Sequence, residues 1–305
     1  MTYIIQTQKR RKHFSNFSNL VNDMDIYQHR VDLETYEPNR THYWIPSDSK
    51  ERFILSLQEN PKNKNLHYYI ENPIEYKLNN FGFRTPDDFN SIDEGNVFIG
   101  CSHTMGIGLH LENVWSYKLN QILGGKFWNL AIGGTGVQTH FRILFAFCKK
   151  LKIKNIFHYA PKYPRYEFFI NNVPQNFLMN LYTDDWEKQF GSLCKDSLFN
   201  EDQLDMTYMA HIYAIKGLAQ ELNINYYVND FKPKFTSEDN SLKARDTFHF
   251  SIKQQHEIMN EFLKMYDMDL YEKNKFYDDS FDMADNKNVY NDIDYSDTKT
   301  NRTIL

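Results

Sequence analysis

The stretch Val97-Phe98-Ile99-Gly100-Cys101-Ser102-His103-Thr104-Met105-Gly106 decides the fold class. A short apolar run, the signature of a buried strand, stops at Gly100, and a serine follows two residues later. Beyond Gly106 and Gly108 the segment from Val114 to Leu123 is patterned as a helix. A serine at such a strand-to-helix turn lies at the carboxyl edge of a sheet, where open α/β folds place their ligands. Backbone N–H groups at the start of the next helix can there face a developing negative charge.

Downstream the same alternation continues. Asn96–Cys101 reads as the first strand, Lys126–Ala131 as the second, Ile153–Ala160 as the third and Ile224–Val228 as the fourth. Helices are expected over Val114–Leu123, about Gln138–Leu151, Leu204–Leu222 and from Ser251 to about Tyr266, with Ser251 as an N-cap. Strands alternating with helices of this length predict a parallel sheet with helices on both faces. Trp115 and Trp128 are expected in its core, whereas Trp44 and Trp186 offer faces for a sugar.

Upstream, residues 1–75 read as an extension that packs on the main domain. Its basic cluster Lys9, Arg10, Arg11 and Lys12 is followed by no apolar segment, so a signal peptide is not expected. In Tyr76–Arg84 a glycine between Phe81 and Phe83 suggests a tight bend with anchored rings and an Arg84 placed to clamp a carboxylate or carbonyl; a surface hairpin with an ordinary arginine fits the pattern equally well. The main domain is expected over residues 76–270, with an irregular, aromatic insertion at 161–203. Residues 271–305, acidic and rich in Asn, cannot bury enough apolar surface to offset their ordering entropy and read as a disordered tail.

The bulk numbers remove several function classes. With 305 residues and a formal charge of -5, the chain can bury a large core but lacks the basic excess of a nucleic-acid binder. No run approaches membrane-spanning length. Cys101, Cys148 and Cys194 form no Cys-x-x-Cys pair and no even disulfide framework, which reads as a reducing compartment, cytoplasmic or otherwise intracellular. A protein of a virus particle, exported without a cleaved signal, fits the same composition. Gly133-Gly134-Thr135-Gly136 after a strand raises a nucleotide-binding domain, but the Gly-x-Gly-x-x-Gly spacing fails and no Gly-Lys-Ser/Thr follows. His249 and His256 stand seven apart without an acidic or cysteine partner, so no metal is expected; no cofactor is expected either.

Acyl transfer needs a serine, a base within hydrogen-bond reach and a carboxylate that fixes the base's tautomer. Ser102 follows the first strand; Asp246 and His249 lie in the last loop before the final helix. A three-residue spacing in a tight turn can set the carboxylate beside the imidazole Nδ1. Gly134, after the second strand, can give a backbone N–H to an oxyanion, with Ser102's own N–H as the second donor. His103 and His140 are expected as pocket lining or surface, and Cys101 as a small buried residue.

Gly100-Cys101-Ser102 with the trailing Gly106 resembles the first block of the SGNH (GDSL-type) hydrolases. Asn129-Leu130-Ala131-Ile132-Gly133-Gly134 resembles their second block and Asp246-Thr247-Phe248-His249 their last. Asn80–Arg84 is similar to a segment that precedes the nucleophile strand in some members. The resemblance covers about residues 78–266 and implies a three-layer α/β/α sandwich of flavodoxin-like type with a mostly parallel sheet. It further implies Ser102 as nucleophile, His249 as base, Asp246 as its orienter and Gly134 as an oxyanion donor. Two departures stand out: the usual Asp before the serine is Cys101, and the third block, Gly-x-Asn-Asp, is replaced by Ala160-Pro161-Lys162-Tyr163-Pro164-Arg165. Tyr163 and Arg165 are the candidates for the missing oxyanion contact. The expected activity is a serine esterase acting on a small acyl ester, by family analogy an acetylated glycan. An O-acyltransferase with the same triad, or a silent glycan-binding or structural relative, are the competing readings.

Overall fold

The structure, a computed structural model, describes residues 37–160, 165–170, 173–178, 201–233 and 242–274. Its centre is a four-stranded parallel sheet of β3 (Glu94–Ile99), β4 (Lys126–Asn129), β5 (Lys152–Tyr159) and β8 (Asn225–Asn229), in the order β4-β3-β5-β8. Strand alternation sends Phe98, Phe127 and Phe157 to one face and Val97, Ile99, Trp128 and Ile156 to the other. The first face is covered by α4 (Trp115–Leu123) and α7 (Ile252–Tyr266), where Trp115 stacks on Phe262 at 4.7 Å. The second is covered by α5 (Val137–Phe147) and α6 (Glu201–Glu221). The result is helix, sheet and helix in three layers. Trp115 and Trp128 lie in the core as expected, each fully buried.

Three asparagines in register fix the opposite end of the sheet. Asn225 donates to Asn155, Asn155 to Asn96, and Asn96 to both the Asn120 side chain and the Gly124 carbonyl, at 2.8–3.0 Å. A slip of one residue would break every amide contact and turn the strands inside out.

The N-terminal segment contributes β1 (Thr41–His42), α1 (Lys50–Glu59) and α2 (Lys64–Glu71), and β1 pairs with β2 (Tyr76–Lys77) across the boundary placed at residue 75. Ile45, Phe53, Leu66, Tyr69 and Ile74 join the same core as Phe98 and Phe157. Residues 37–75 are therefore part of the domain's packing. The basic cluster at 9–12 lies outside the described residues. The bend at Gly82 forms (φ +71), with Phe83 buried and Phe81 stacked on Phe89.

Two boundaries differ from the sequence reading. Within the supposedly irregular insertion, β6 (Arg165–Ile170) and β7 (Val173–Leu178) form an antiparallel hairpin, and α6 begins before residue 203. The rest of that insertion lies outside the described residues. Toward the C-terminus α8 (Met268–Asn274) runs past residue 270, because Leu270 and Tyr271 pack on the α7 side of the core. The tail from 275 lies outside the described residues. On α6 the buried face is Ile215 and Ala219; Met206, Met209 and Tyr213 turn outward. Among the described residues no helix is long and apolar enough to cross a membrane.

Replacing Asn155 by Ala should leave the Asn96 oxygen and the Asn225 amide without partners in the sheet. A loss of about 2–4 kcal/mol in urea unfolding is expected; a loss under about 0.5 kcal/mol would show that the ladder does not hold the register.

Candidate active site

All four parallel strands end at one edge. The strand order reverses between β3 and β5, since one connection from this pair leads to β4 and the other to β8. Open α/β sheets bind ligands at such a reversal. Ser102 opens the one-turn helix α3 (Ser102–Met105) directly beyond β3. It is 4 % exposed, and among the described residues its hydroxyl has no hydrogen-bond partner. Nucleophile–base contacts are often open when no substrate is bound.

Several buried groups hold the α3 turn from outside. Arg84 donates to the carbonyls of Met105, Gly106 and Leu109, the last at 2.8 Å. Of the two readings of Arg84 the clamp holds, and its targets are carbonyls at the end of the serine's own turn. Asn129, the last residue of β4, donates to the Thr104 carbonyl at 3.1 Å and accepts from the Ala131 N–H. From α7, Gln255 donates to the His103 carbonyl and accepts from the Trp115 N–H at 3.1 Å.

The second turn is Arg245–Phe250, between β8 and α7. Asp246 Oδ1 accepts from the N–H groups of Phe248 and His249, both at 3.1 Å, while its Oδ2 accepts from His249 Nδ1. Asp246 and His249 are thus paired as the three-residue spacing predicts, and in the neutral ring the bond puts the proton on Nδ1 and leaves Nε2 turned from the carboxylate. A Ser251–Gln254 capping box starts α7 immediately afterwards.

The two turns dock on each other. Arg245 N–H donates to the Gly108 carbonyl at 2.7 Å. A Cβ on Gly108 would lie 2.9 Å from the Ala244 Cβ and 3.2 Å from Asp246 Oδ1, so only glycine admits this approach. His103, the residue after Ser102, sits with its ring 5.3 Å from that of His249 and stacks on Phe250 at 3.7 Å. Behind the contact lies a buried charged cluster. The Arg245 guanidinium forms a two-pronged pair with Asp48 at 2.7–3.1 Å, reaches the Tyr43 carbonyl and lies over the Trp44 ring. Tyr76 donates to Asp48 and accepts from the Gly108 N–H at 2.8 Å. Asp48, Tyr76 and Arg245 escaped sequence reasoning: Asp48 and Arg245 are 197 positions apart, and no local pattern joins them.

Gly134 adopts φ +77 in the turn after β4, and a Cβ on its neighbour Gly133 would come within 3.9 Å of the Ser102 Cβ. The glycine turn and the serine turn are therefore in contact. Arg165, at the start of β6, donates to the Thr135 carbonyl of that glycine turn at 3.0 Å. Its hairpin is fastened to α5 by Glu167, which takes two bonds from Arg142 and one from Thr139. Tyr163 lies outside the described residues. Beside the serine turn a pocket opens whose lining mixes the polar side chains of Thr135, His140, Arg165, Tyr166, Thr207 and Tyr208 with Cys101, Val137 and Leu204.

His140 extends a chain into the core. Thr135 Oγ1 donates to the Ile132 carbonyl at 2.7 Å, so it accepts from His140 Nε2. His140 Nδ1 must then accept from His158 Nε2, and His158 Nδ1 accepts from the Tyr226 hydroxyl. Burial holds His103 and His140 well below the usual histidine range, with help from His249 and Arg165 for the first and from His158 and Arg165 for the second. Burial brings His158 down to about 3. Among the described residues no group of three or more His, Cys, Asp or Glu gathers as metal ligands. His249 precedes α7 while His256 is buried within it, so the two share no helix face.

Compared with known proteins, the chain matches no family model, and no curated protein matches it in sequence.

Below about pH 6.5, in a window that for His158 reaches down to about pH 3, the three buried histidines bind fewer protons folded than unfolded. Their stabilising effect is complete above about pH 6.5 and is lost as pH falls through that window, each contributing about 1.4 kcal/mol per pH unit. Calorimetry at pH 5.5 in buffers of different ionisation enthalpy should find uptake of about three protons on unfolding; uptake below about one would contradict neutral burial of the set.

Proposed function

We propose that this chain is a serine-dependent ester hydrolase of the SGNH type. The observation that carries the reading is the docking of the Asp246–His249 pair against the Ser102 turn, through Gly108 and the ring of His103. In this reaction the Ser102 hydroxyl attacks the ester carbonyl as His249 Nε2 takes its proton. Asp246 holds Nδ1–H and favours the imidazolium. The carbonyl oxygen becomes an oxyanion that accepts from the N–H groups of Ser102 and Gly134. Collapse breaks the bond to the alcohol oxygen, which takes the proton from His249. Water, deprotonated by His249, then attacks the acyl-enzyme and releases the acid and Ser102.

Arg165 supports the oxyanion side: its guanidinium is tethered at the Thr135 carbonyl, one residue beyond Gly134. A cation there offsets part of the charge for which the missing third-block asparagine would supply a donor. The hydroxyls, imidazole and guanidinium that share the pocket wall with Val137 and Leu204 favour a short or polar acyl ester over a long alkyl chain. An acetylated glycan fits that description. The same residues serve acyl transfer when an acceptor hydroxyl replaces water.

A fluorophosphonate should label Ser102, read by peptide mass spectrometry. Ser102→Ala and His249→Ala should abolish turnover of an aryl acetate, and Asp246→Asn should lower kcat by about a thousandfold or more. Aryl acetate should exceed aryl octanoate in kcat/KM by about tenfold. A protein that neither labels nor hydrolyses any short ester would instead be a binding or structural relative of these hydrolases.

A further inference from the structure

Phe248 stands between the two members of the Asp246–His249 pair and is 74 % exposed. Two positions away on either side the chain is buried: Asp246 is 5 % exposed and Phe250 3 %. A single exposed apolar side chain is ordinary. This one is held out by a backbone that is not. Thr247 has φ +62, a left-handed conformation that β-branched residues rarely adopt. It persists because its surroundings fix it. Thr247 N–H donates to the Ala244 carbonyl at 2.9 Å, and Asp246 Oδ1 takes the next two N–H groups. The carboxylate that orients the imidazole therefore also fixes the backbone from which Phe248 projects. Strain retained at such a place points to use.

We propose that Phe248 is a substrate-binding residue that receives the alcohol portion of the ester, and that this alcohol presents a flat apolar face, the C–H face of a sugar ring or an aryl ring. The inference rests on the esterase reading. In that reaction His249 delivers its proton to the leaving alcohol, so the alcohol lies within reach of Nε2 and of the side chain that adjoins His249 on the exposed rim. No residue of the Arg245–Phe250 turn lines the pocket by Cys101. That pocket and Phe248 offer separate surfaces. An aromatic ring fixed at the backbone loses little freedom on contact and gains by covering a ring face.

The test compares wild type, Phe248→Ala and Phe248→Trp on three acetates: ethyl acetate, phenyl acetate and a methyl glucoside acetate. The kcat/KM ratio of each ring ester to ethyl acetate should fall about tenfold in Phe248→Ala and recover in Phe248→Trp, with the melting temperature preserved because the side chain is exposed. A ratio that stays constant, whether both rates fall together or neither does, would overturn the assignment, since a merely structural role affects all three esters alike. A wild type that cleaves none of the esters would overturn the esterase reading and this inference with it. Wild-type turnover with an unchanged ratio in Phe248→Ala would overturn this inference alone.

Discussion

The buried pair of Asp48 and Arg245 is the constraint from which the geometry of the candidate site follows. Both side chains are 1 % exposed, so each charge depends on the other. Ion pairs at this depth add little net stability, because removing two charges from water costs about as much as their attraction returns. What this pair supplies is position. Arg245 precedes Asp246 in the chain and bonds Gly108, which follows the serine turn; Asp48 also accepts from Tyr76, which takes the Gly108 N–H. A segment more than fifty residues upstream of the serine thereby sets the distance between two turns brought together from the ends of β3 and β8. Arg84 reinforces the arrangement from beside Tyr76, through the carbonyls at the end of α3.

The sheet and its order of elements were legible in the sequence because periodicity and chain punctuation are local signals. Gly100 ends a strand, Ser251 begins a helix, and Gly82 makes a bend. The Asp246–His249 bond was legible for the same reason: three residues of one turn decide it. Arg84 was only half legible, since a clamp and an ordinary arginine on a surface hairpin fit the pattern of Tyr76–Arg84 equally well. The Asp48–Arg245–Tyr76 cluster, the asparagine ladder and the chain from Thr135 through His140 and His158 to Tyr226 were not. Each joins residues from separate elements, so its evidence exists only once the strands are in register. On α6 the spacing misleads in part: Met206, Met209, Tyr213, Ile215 and Leu218 share a helical pattern, yet Ile215 and Leu218 pack on the sheet while Met206, Met209 and Tyr213 turn outward.

The glycine turn after β4 has its own support. Thr135 is pinned between the Ile132 carbonyl and His140, while Arg165 holds its carbonyl from above. Such bracing suits a turn whose N–H groups must point at one place before substrate arrives, because donors that need no rearrangement stabilise developing charge most. In the proposed chemistry Arg165, tethered at the Thr135 carbonyl, would bring a cation where the SGNH third block brings a carboxamide. The proposed chemistry thus keeps its nucleophile, base and backbone donors and changes one peripheral contact.

The most direct measurement is a crystal structure of the protein inactivated by a fluorophosphonate. A phosphonyl group is expected on Ser102 Oγ, its oxygen within hydrogen-bond distance of the Ser102 and Gly134 N–H groups, and His249 Nε2 directed at the ester oxygen while Asp246 still holds Nδ1. Ser102 unmodified, or modified with the His249 ring turned from the adduct and Gly108 parted from Arg245, would contradict it.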